Sequence, residues 1–215
     1  MSTPVQNLLR GLPVFPDQMQ PFDPAAAPDS PLNLFTEWLG AAIDGGVPAP
    51  HAVTVSTVDD DGRPAARVVI LRDLDDHGFS FATSSGSPKG RQLHGTPYAA
   101  LTFFWQEVGR QVRVSGAVTP GTAEENDADF RRRHPAARAL VLAGQQSDVL
   151  REGESVSAAV ERELAGIEHK GSATWTVYTV APEQVEFWQA DAERRHTRLR
   201  YLRRGAGWRR EVLWP

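Results

Sequence analysis

The sequence predicts an α+β fold in which antiparallel strands from two separate blocks close into a barrel. Three observations lead there. One helical segment near the start is followed by five period-two segments in a row, which suggests a sandwich or a barrel. Helical patterns come next, and β composition then returns almost to the last residue. Strand and helix never alternate as βαβ units, so a doubly wound parallel sheet is disfavoured.

Residues 1–30 hold Pro4, Pro13, Pro16, Pro21, Pro24 and Pro28 without sustained periodicity, and read as an arm that is flexible or lies over a partner. Residues 31–215 read as a single domain. Ser30 followed by Pro31 is an N-cap plus first-turn proline, and Leu32, Phe35, Leu39, Ala42 and Ile43 recur at helical spacing until Gly45-Gly46. From 51 the period becomes two. HAVTVSTV, the turn DDDGRP, ARVVILRDL, the turn DDHG and FSFATS predict three consecutive antiparallel strands. A Ser/Gly/Pro/Lys loop at 84–90 precedes PYAALTFFW and RQVRVSGAVT, two strands joined through QEVG. Thr122 with Glu125 forms a capping box for a polar helix toward Arg133, and a second helix is expected from about Ala136 to Gly144. Val156, Val160, Leu164 and Ile167 mark a third helical face. Strands return at TWTVYTV, QVEFW, RLRYLRR and WRREVLW.

Composition narrows the function. With 23 Lys+Arg against 27 Asp+Glu the formal charge is −4, which argues against nucleic-acid binding through a globally basic surface. The absence of cysteine excludes disulfides, Cys-ligated zinc, iron–sulfur clusters and thiolate nucleophiles. No apolar run would span a bilayer, and no basic segment feeds an apolar one at the N-terminus, so a soluble cytoplasmic protein without membrane partners is expected. No G-x-S-x-G, H-E-x-x-H or P-loop is present, and the six His do not fall at metal-ligand spacing.

What remains is a set of cationic and amide side chains at strand ends: Arg67 and Arg72 around VVIL, Lys89, Gln111 with Arg113, Gln146-Ser147, and Arg194-Arg195-His196-x-Arg198. Such donors suit a phosphate. Taken singly, Arg67 and Arg72 read better as solvated strand-edge charges. Trp188 reads as well as a core aromatic as it does a ligand contact, and His196 by itself reads better as a surface residue in an Arg-rich turn.

Five segments in order carry a resemblance: ARVVILRD, SPKGRQL, RQVRVSG, the QQS at 145–147, and VEFWQADAERRHTRLRYLRR with the terminal WRREVLWP. From about residue 33 to the end the chain resembles the pyridoxamine 5′-phosphate oxidases, FMN-dependent enzymes of the split-barrel fold. The resemblance implies an antiparallel split β-barrel with peripheral helices, FMN as cofactor, and a homodimer sharing two sites. Carried over by position, it implies FMN contacts at Arg67, Val68, Val69, Ile70, Leu71, Arg72, Ala82, Thr83, Lys89 and Gln111. Gln146, Ser147, Trp188 and Arg198 are the contacts it implies from the partner subunit. Arg194 and His196 match the pair that orients the substrate over the flavin, and Arg72, Asp129 and Arg133 fall at the substrate's phosphate grip.

The departures lie in that grip. Where the family has a tyrosine and a serine the chain has Asp129 and Ala137, and the family's lysine is Arg72. A carboxylate beside a phosphate dianion costs energy instead of donating a hydrogen bond. Pro88 replaces an FMN-phosphate arginine, and Arg195 a leucine. EENDADF and HTRLRYLRR are similar to the phenazine-biosynthesis oxidases, a branch that oxidises reduced aromatic heterocycles. The expectation is therefore an FMN-dependent oxidase that takes hydride from a carbon next to nitrogen and passes electrons to O2, giving H2O2. A reduced N-heterocycle is the leading substrate and pyridoxine or pyridoxamine 5′-phosphate the alternative. A flavin-binding carrier or sensor is the reading outside catalysis.

Overall fold

The computed structural model describes residues 3–16, 19–144 and 146–215. Its strands are β1 (Ala52–Val58), β2 (Pro64–Asp75), β3 (Gly78–Ser84), β4 (Tyr98–Trp105), β5 (Arg110–Pro120), β6 (Trp175–Gln189), β7 (Thr197–Arg204) and β8 (Gly207–Leu213). The helices are α1 (Pro4–Leu9), α2 (Pro31–Asp44), α3 (Pro88–Gly95), α4 (Ala123–Arg132), α5 (Pro135–Ala143) and α6 (Val156–Leu164). The strands follow the order β3-β2-β1-β4-β5-β6-β7-β8, and β3 also pairs with β6. That second pairing closes six antiparallel strands into the expected barrel. The chain divides into two compact units, one of His51–Thr102 with Val114–Gln184, the other of the chain up to Pro50, Phe103–Arg113 and Val185–Pro215. Strands β4, β5 and β6 each contribute residues to both.

The first unit contains the closure. Alternation along β1 turns Val53, Val55 and Thr57 inward, and Phe79, Phe81, Leu101 and Val180 complete a core without exposed surface. β3 runs against β6 from Phe79↔Val180 to Ser84↔Trp175. A Cβ on Gly116 would stand 1.8 Å from the Ala181 carbonyl oxygen, so the glycine of RQVRVSG is required by close backbone approach. TWTVYTV and QVEFW, expected as separate strands, form one 15-residue strand, because extended backbone tolerates the fixed φ of Pro182.

The loop expected at 84–90 contains the start of a helix. Ser87 accepts the Gly90 N–H on its hydroxyl, and Pro88 occupies the first turn of α3. Its Ser-Pro start repeats the signal at Ser30-Pro31, but two glycines and little apolar periodicity in PKGRQLHG hide the helix that follows. The Thr122/Glu125 box caps α4 as predicted. The face of α6 forms but buries nothing, with Val156 and Leu164 exposed.

In the second unit α2 buries Leu34, Phe35, Trp38 and Ala42, with Ile43 of the predicted stripe exposed. The helix turns its aromatics inward: Phe35 meets Phe103 at 4.8 Å and Trp38 meets Phe187 at 5.1 Å between centroids. Part of the arm has partners in this unit. Phe22 packs edge-on against Trp38, the Tyr201 hydroxyl donates to the Pro28 carbonyl at 2.7 Å, and Arg210 donates to the Ala27 carbonyl. This part of the arm lies on its own chain, where prolines leave carbonyls free for such donors. The start of the arm forms the short exposed helix α1. No helix among the described residues is long and apolar enough to cross a membrane.

Candidate active site

In the barrel unit two cations face neutral oxygen. Arg67, on β2, donates from Nη1 to Thr57 Oγ1 at 2.5 Å and from Nη2 to Gln92 Oε1 at 3.1 Å. Lys89, almost fully buried in the first turn of α3, donates from Nζ to Thr83 Oγ1 at 2.9 Å, Gln146 Oε1 at 3.0 Å and Ser87 Oγ at 3.3 Å. Among the described residues neither cation has a carboxylate partner. Burial, and then the charge of Arg67, bring Lys89 down to about 8; burial also lowers Arg67. A cationic pair held only by hydroxyls and amides is underneutralised, and a phosphate dianion completes it. The residues therefore fit the phosphate of FMN. Gly90 is part of the cradle, since a Cβ there would meet the Ser85 carbonyl oxygen at 2.4 Å.

Gln146, implied by the resemblance to reach across a dimer, bonds in this structure to Thr83 and Lys89 of its own chain. Ser147, the next residue, takes a left-handed φ of 74. Gln145 of the QQS motif lies outside the described residues. Val68 and Ile70 point outward from β2 as exposed apolar side chains, while Val69, Leu71 and Ala82 are half-buried. Pro88 is accommodated at the helix start.

The residues expected at the substrate's phosphate grip, Arg72, Asp129 and Arg133, lie in the same unit. Leu71 pairs with Phe81 and Asp73 with Ser80, so Arg72 is the extra residue of a β-bulge. It donates to Asp129 Oδ1 from Nε at 3.3 Å and Nη2 at 3.0 Å, while Asp129 Oδ2 accepts the Trp175 indole N–H at 2.7 Å. Asp129 is therefore not a free carboxylate: it neutralises Arg72. The Arg133 guanidinium lies 4.0 Å from the Trp175 ring centroid, and its buried Nε has no hydrogen-bond partner among the described residues. Burial chiefly, and then Arg72, lower the Arg133 pKa.

The other unit holds the remaining candidates. Trp188 is half-buried and lies against His196 at 4.8 Å and Phe15 at 5.3 Å, so it is not a core aromatic. Gln111 is half-buried at the start of β5. Arg198 donates from Nε at 3.1 Å and Nη2 at 2.8 Å to Glu186 Oε1, and from Nη1 to the Trp214 carbonyl at 3.2 Å. His196 Nδ1 accepts the Asp191 N–H at 3.1 Å, and Arg194 takes a left-handed φ of 64. Thr57, Gln92, Trp175, Glu186 and Asp191 were missed from sequence. Thr57 and Trp175 lie in strands without a motif, whereas Gln92, Glu186 and Asp191 lie inside segments that carry the resemblance, SPKGRQL and VEFWQADAERRHTRLRYLRR, at positions to which it assigns no contact.

With this geometry in view the comparisons are decisive. Residues 39–189 match the family model described as pyridoxamine 5′-phosphate oxidase. The chain belongs to the pyridoxamine 5′-phosphate oxidase family. Residues 175–215 match the C-terminal dimerisation region of pyridoxine 5′-phosphate oxidase. The chain is 40% identical over 196 residues to the pyridoxine/pyridoxamine 5′-phosphate oxidase of Pseudomonas fluorescens (strain SBW25), covering 89% of this chain and 91% of that one. It is 43% identical over 195 residues to the protein of the same name from Thermosynechococcus vestitus, covering 88% and 90%. PhzG from Burkholderia lata 383, solved in complex with tetrahydrophenazine-1-carboxylic acid, superposes with a TM-score of 0.87 at 34% identity, covering 93% of this chain and 98% of that one. The chain is thus an oxidoreductase of a flavoprotein family, on the split-barrel fold that the sequence predicted.

Proposed function

We propose that this pyridoxamine 5′-phosphate oxidase family member is an FMN-dependent oxidase acting on a reduced N-heterocycle, as a homodimer whose sites are shared between subunits. FMN, when bound, supplies a two-electron acceptor for the hydride leaving a carbon next to nitrogen, and O2 takes those electrons on to H2O2. Arg67 and Lys89, with Thr83, bind the FMN phosphate in this reading. Val68, Val69, Ile70, Leu71, Ala82 and Gln111 line the flavin on the same chain, and Ser147, Trp188 and Arg198 reach it from the partner. Cationic and amide donors near the ring favour the negative charge that builds up on reduction. Arg194 and His196 orient the substrate.

The observation that carries the substrate reading is the pairing of Arg72 with Asp129. A grip for a phosphate dianion needs its cations unpaired, and here one of the two is neutralised by a buried carboxylate. The ligand of the PhzG structure, a reduced N-heterocyclic carboxylic acid, is of the kind a weaker anion grip would take. Pyridoxine or pyridoxamine 5′-phosphate is the second reading, supported by the names of relatives at 40–43% identity and by the retained Arg133.

Anaerobic mixing of FMN-loaded protein with pyridoxamine 5′-phosphate or with a dihydro-heterocycle, followed at the flavin absorbance, tests both. Bleaching by the heterocycle alone, reversed by air, is the expected result. Rapid bleaching by pyridoxamine 5′-phosphate would make the second reading the right one.

A further inference from the structure

The turn between β6 and β7 is organised around one residue that no motif singles out. Asp191 Oδ1 accepts the Glu193 N–H at 2.8 Å and the Arg195 N–H at 3.2 Å, and its carbonyl accepts the Arg194 N–H at 3.0 Å. Its own N–H donates to His196 Nδ1 at 3.1 Å. Every residue from 193 to 196 is thereby tied to Asp191. Arg194 sits between the two N–H groups held by the carboxylate, at a φ of 64 that a residue with a Cβ rarely adopts. A conformation of this kind persists only when its surroundings over-determine it.

The bond to His196 has a chemical consequence. A ring nitrogen that accepts a hydrogen bond carries no proton, so in the neutral imidazole the proton is on Nε2. The ring is also fixed in orientation by Trp188, 4.8 Å away between centroids. His196 therefore offers an N–H donor from Nε2, while Arg194 projects from a turn that cannot relax without breaking the Asp191 contacts.

We propose that Asp191 is a positioning residue for the oxidation: it sets the Nε2–H tautomer of His196 and holds Arg194 in its left-handed turn, so that two donors meet the substrate in a fixed arrangement. The proposal rests on the oxidase reading given above for the roles of Arg194 and His196. The tautomer and the turn stand without it.

The test compares wild type with Asp191→Ala and Asp191→Asn. Nitrogen-15 NMR of histidine-labelled protein, with the His196 signal assigned by its loss in His196→Gln, reads the tautomer without substrate. Wild type and Asp191→Asn, whose amide oxygen still accepts both N–H groups, are expected to show the Nε2–H form. Asp191→Ala keeps the backbone N–H that meets His196 Nδ1 but loses the carboxylate that holds the turn in which the two face each other, and is expected to show a mixture of tautomers. In steady-state oxidation Asp191→Ala is expected to lose about tenfold in kcat/KM with FMN stoichiometry unchanged, and Asp191→Asn to stay within about twofold of wild type. An Nδ1–H tautomer in wild type would overturn the proposal even if Asp191→Ala failed to fold. So would a folded Asp191→Ala variant with unchanged tautomer and kcat/KM. If neither substrate class reduced the flavin, the oxidase reading would fail while the NMR comparison still judged Asp191.

Discussion

Asp129 takes the guanidinium of Arg72 on one carboxylate oxygen and the indole N–H of Trp175 on the other. Sequence reasoning treats Asp129 as a carboxylate that repels a phosphate. The structure gives it a different part, since the carboxylate is spent on Arg72 and its orientation is locked by Trp175. Under the proposed reading, the anion grip is weakened by removal of a cation more than by addition of an anion.

Asp129→Asn should therefore release Arg72 while an amide oxygen keeps the Trp175 bond. KM for pyridoxamine 5′-phosphate is expected to fall about tenfold, one charge–phosphate contact being worth roughly 1.4 kcal/mol. Stability should drop by about 1 kcal/mol, because Arg72 is partly solvated. Asp129→Tyr with Ala137→Ser should raise pyridoxamine 5′-phosphate turnover further. Steady-state kinetics on both substrate classes checks this, and unchanged phosphate kinetics would refute it.

Lys89 gives a pH signature. Its folded pKa of about 8 lies below its ordinary 10.5, so between these values the unfolded chain binds more protons than the folded one. Stability of the flavin-free protein should rise with pH across that window, and the contribution should be missing in Lys89→Met. Urea melts between pH 7.5 and 9.5, below the range where the tyrosines titrate, compare the two proteins. A phosphate dianion needs the protonated amine, so FMN affinity is expected to be level between about pH 7 and 8, where the phosphate is already a dianion, and to weaken above it, by flavin fluorescence titration.

Glu186 should matter through Arg198. Its carboxylate, 5% exposed, takes two hydrogen bonds from a guanidinium that is 28% exposed. Glu186→Gln leaves that cation underneutralised and is expected to cost about 2 kcal/mol, or roughly 4–8 °C in Tm. A melt within 1 °C of wild type would mean that hydration stabilises Arg198 as well as pairing with Glu186 does.

Tyr201 anchors the arm. Tyr201→Phe strands the Pro28 carbonyl and should cost about 1 kcal/mol, with faster proteolysis ahead of α2 as the local readout. Cleavage at the wild-type rate would show that Phe22 against Trp38 holds the arm without it.

The strands, α2, α4 and α5 were legible in the chain because their signals are local: period-two alternation in HAVTVSTV and FSFATS, Ser30-Pro31, the Thr122/Glu125 box, turn residues in DDDGRP and DDHG. Barrel closure followed from the order of these pieces. Helix α3 was hidden because glycine and polar side chains leave no periodic face, even though its Ser-Pro start was visible. The arm's own-chain docking was also out of reach, since Tyr201 and Pro28 are 173 positions apart. The site divides in the same way. Arg67, Thr83, Lys89, Arg133, Trp188, Arg194, His196 and Arg198 carry their chemistry in their identity and motif. Arg72 and Asp129, 57 positions apart, become an ion pair only when a β-bulge in β2 and a buried turn of α4 are folded to within 3.0 Å. Residue type sets which charges a chain has; which of them cancel depends on distances between segments, and those arise in packing.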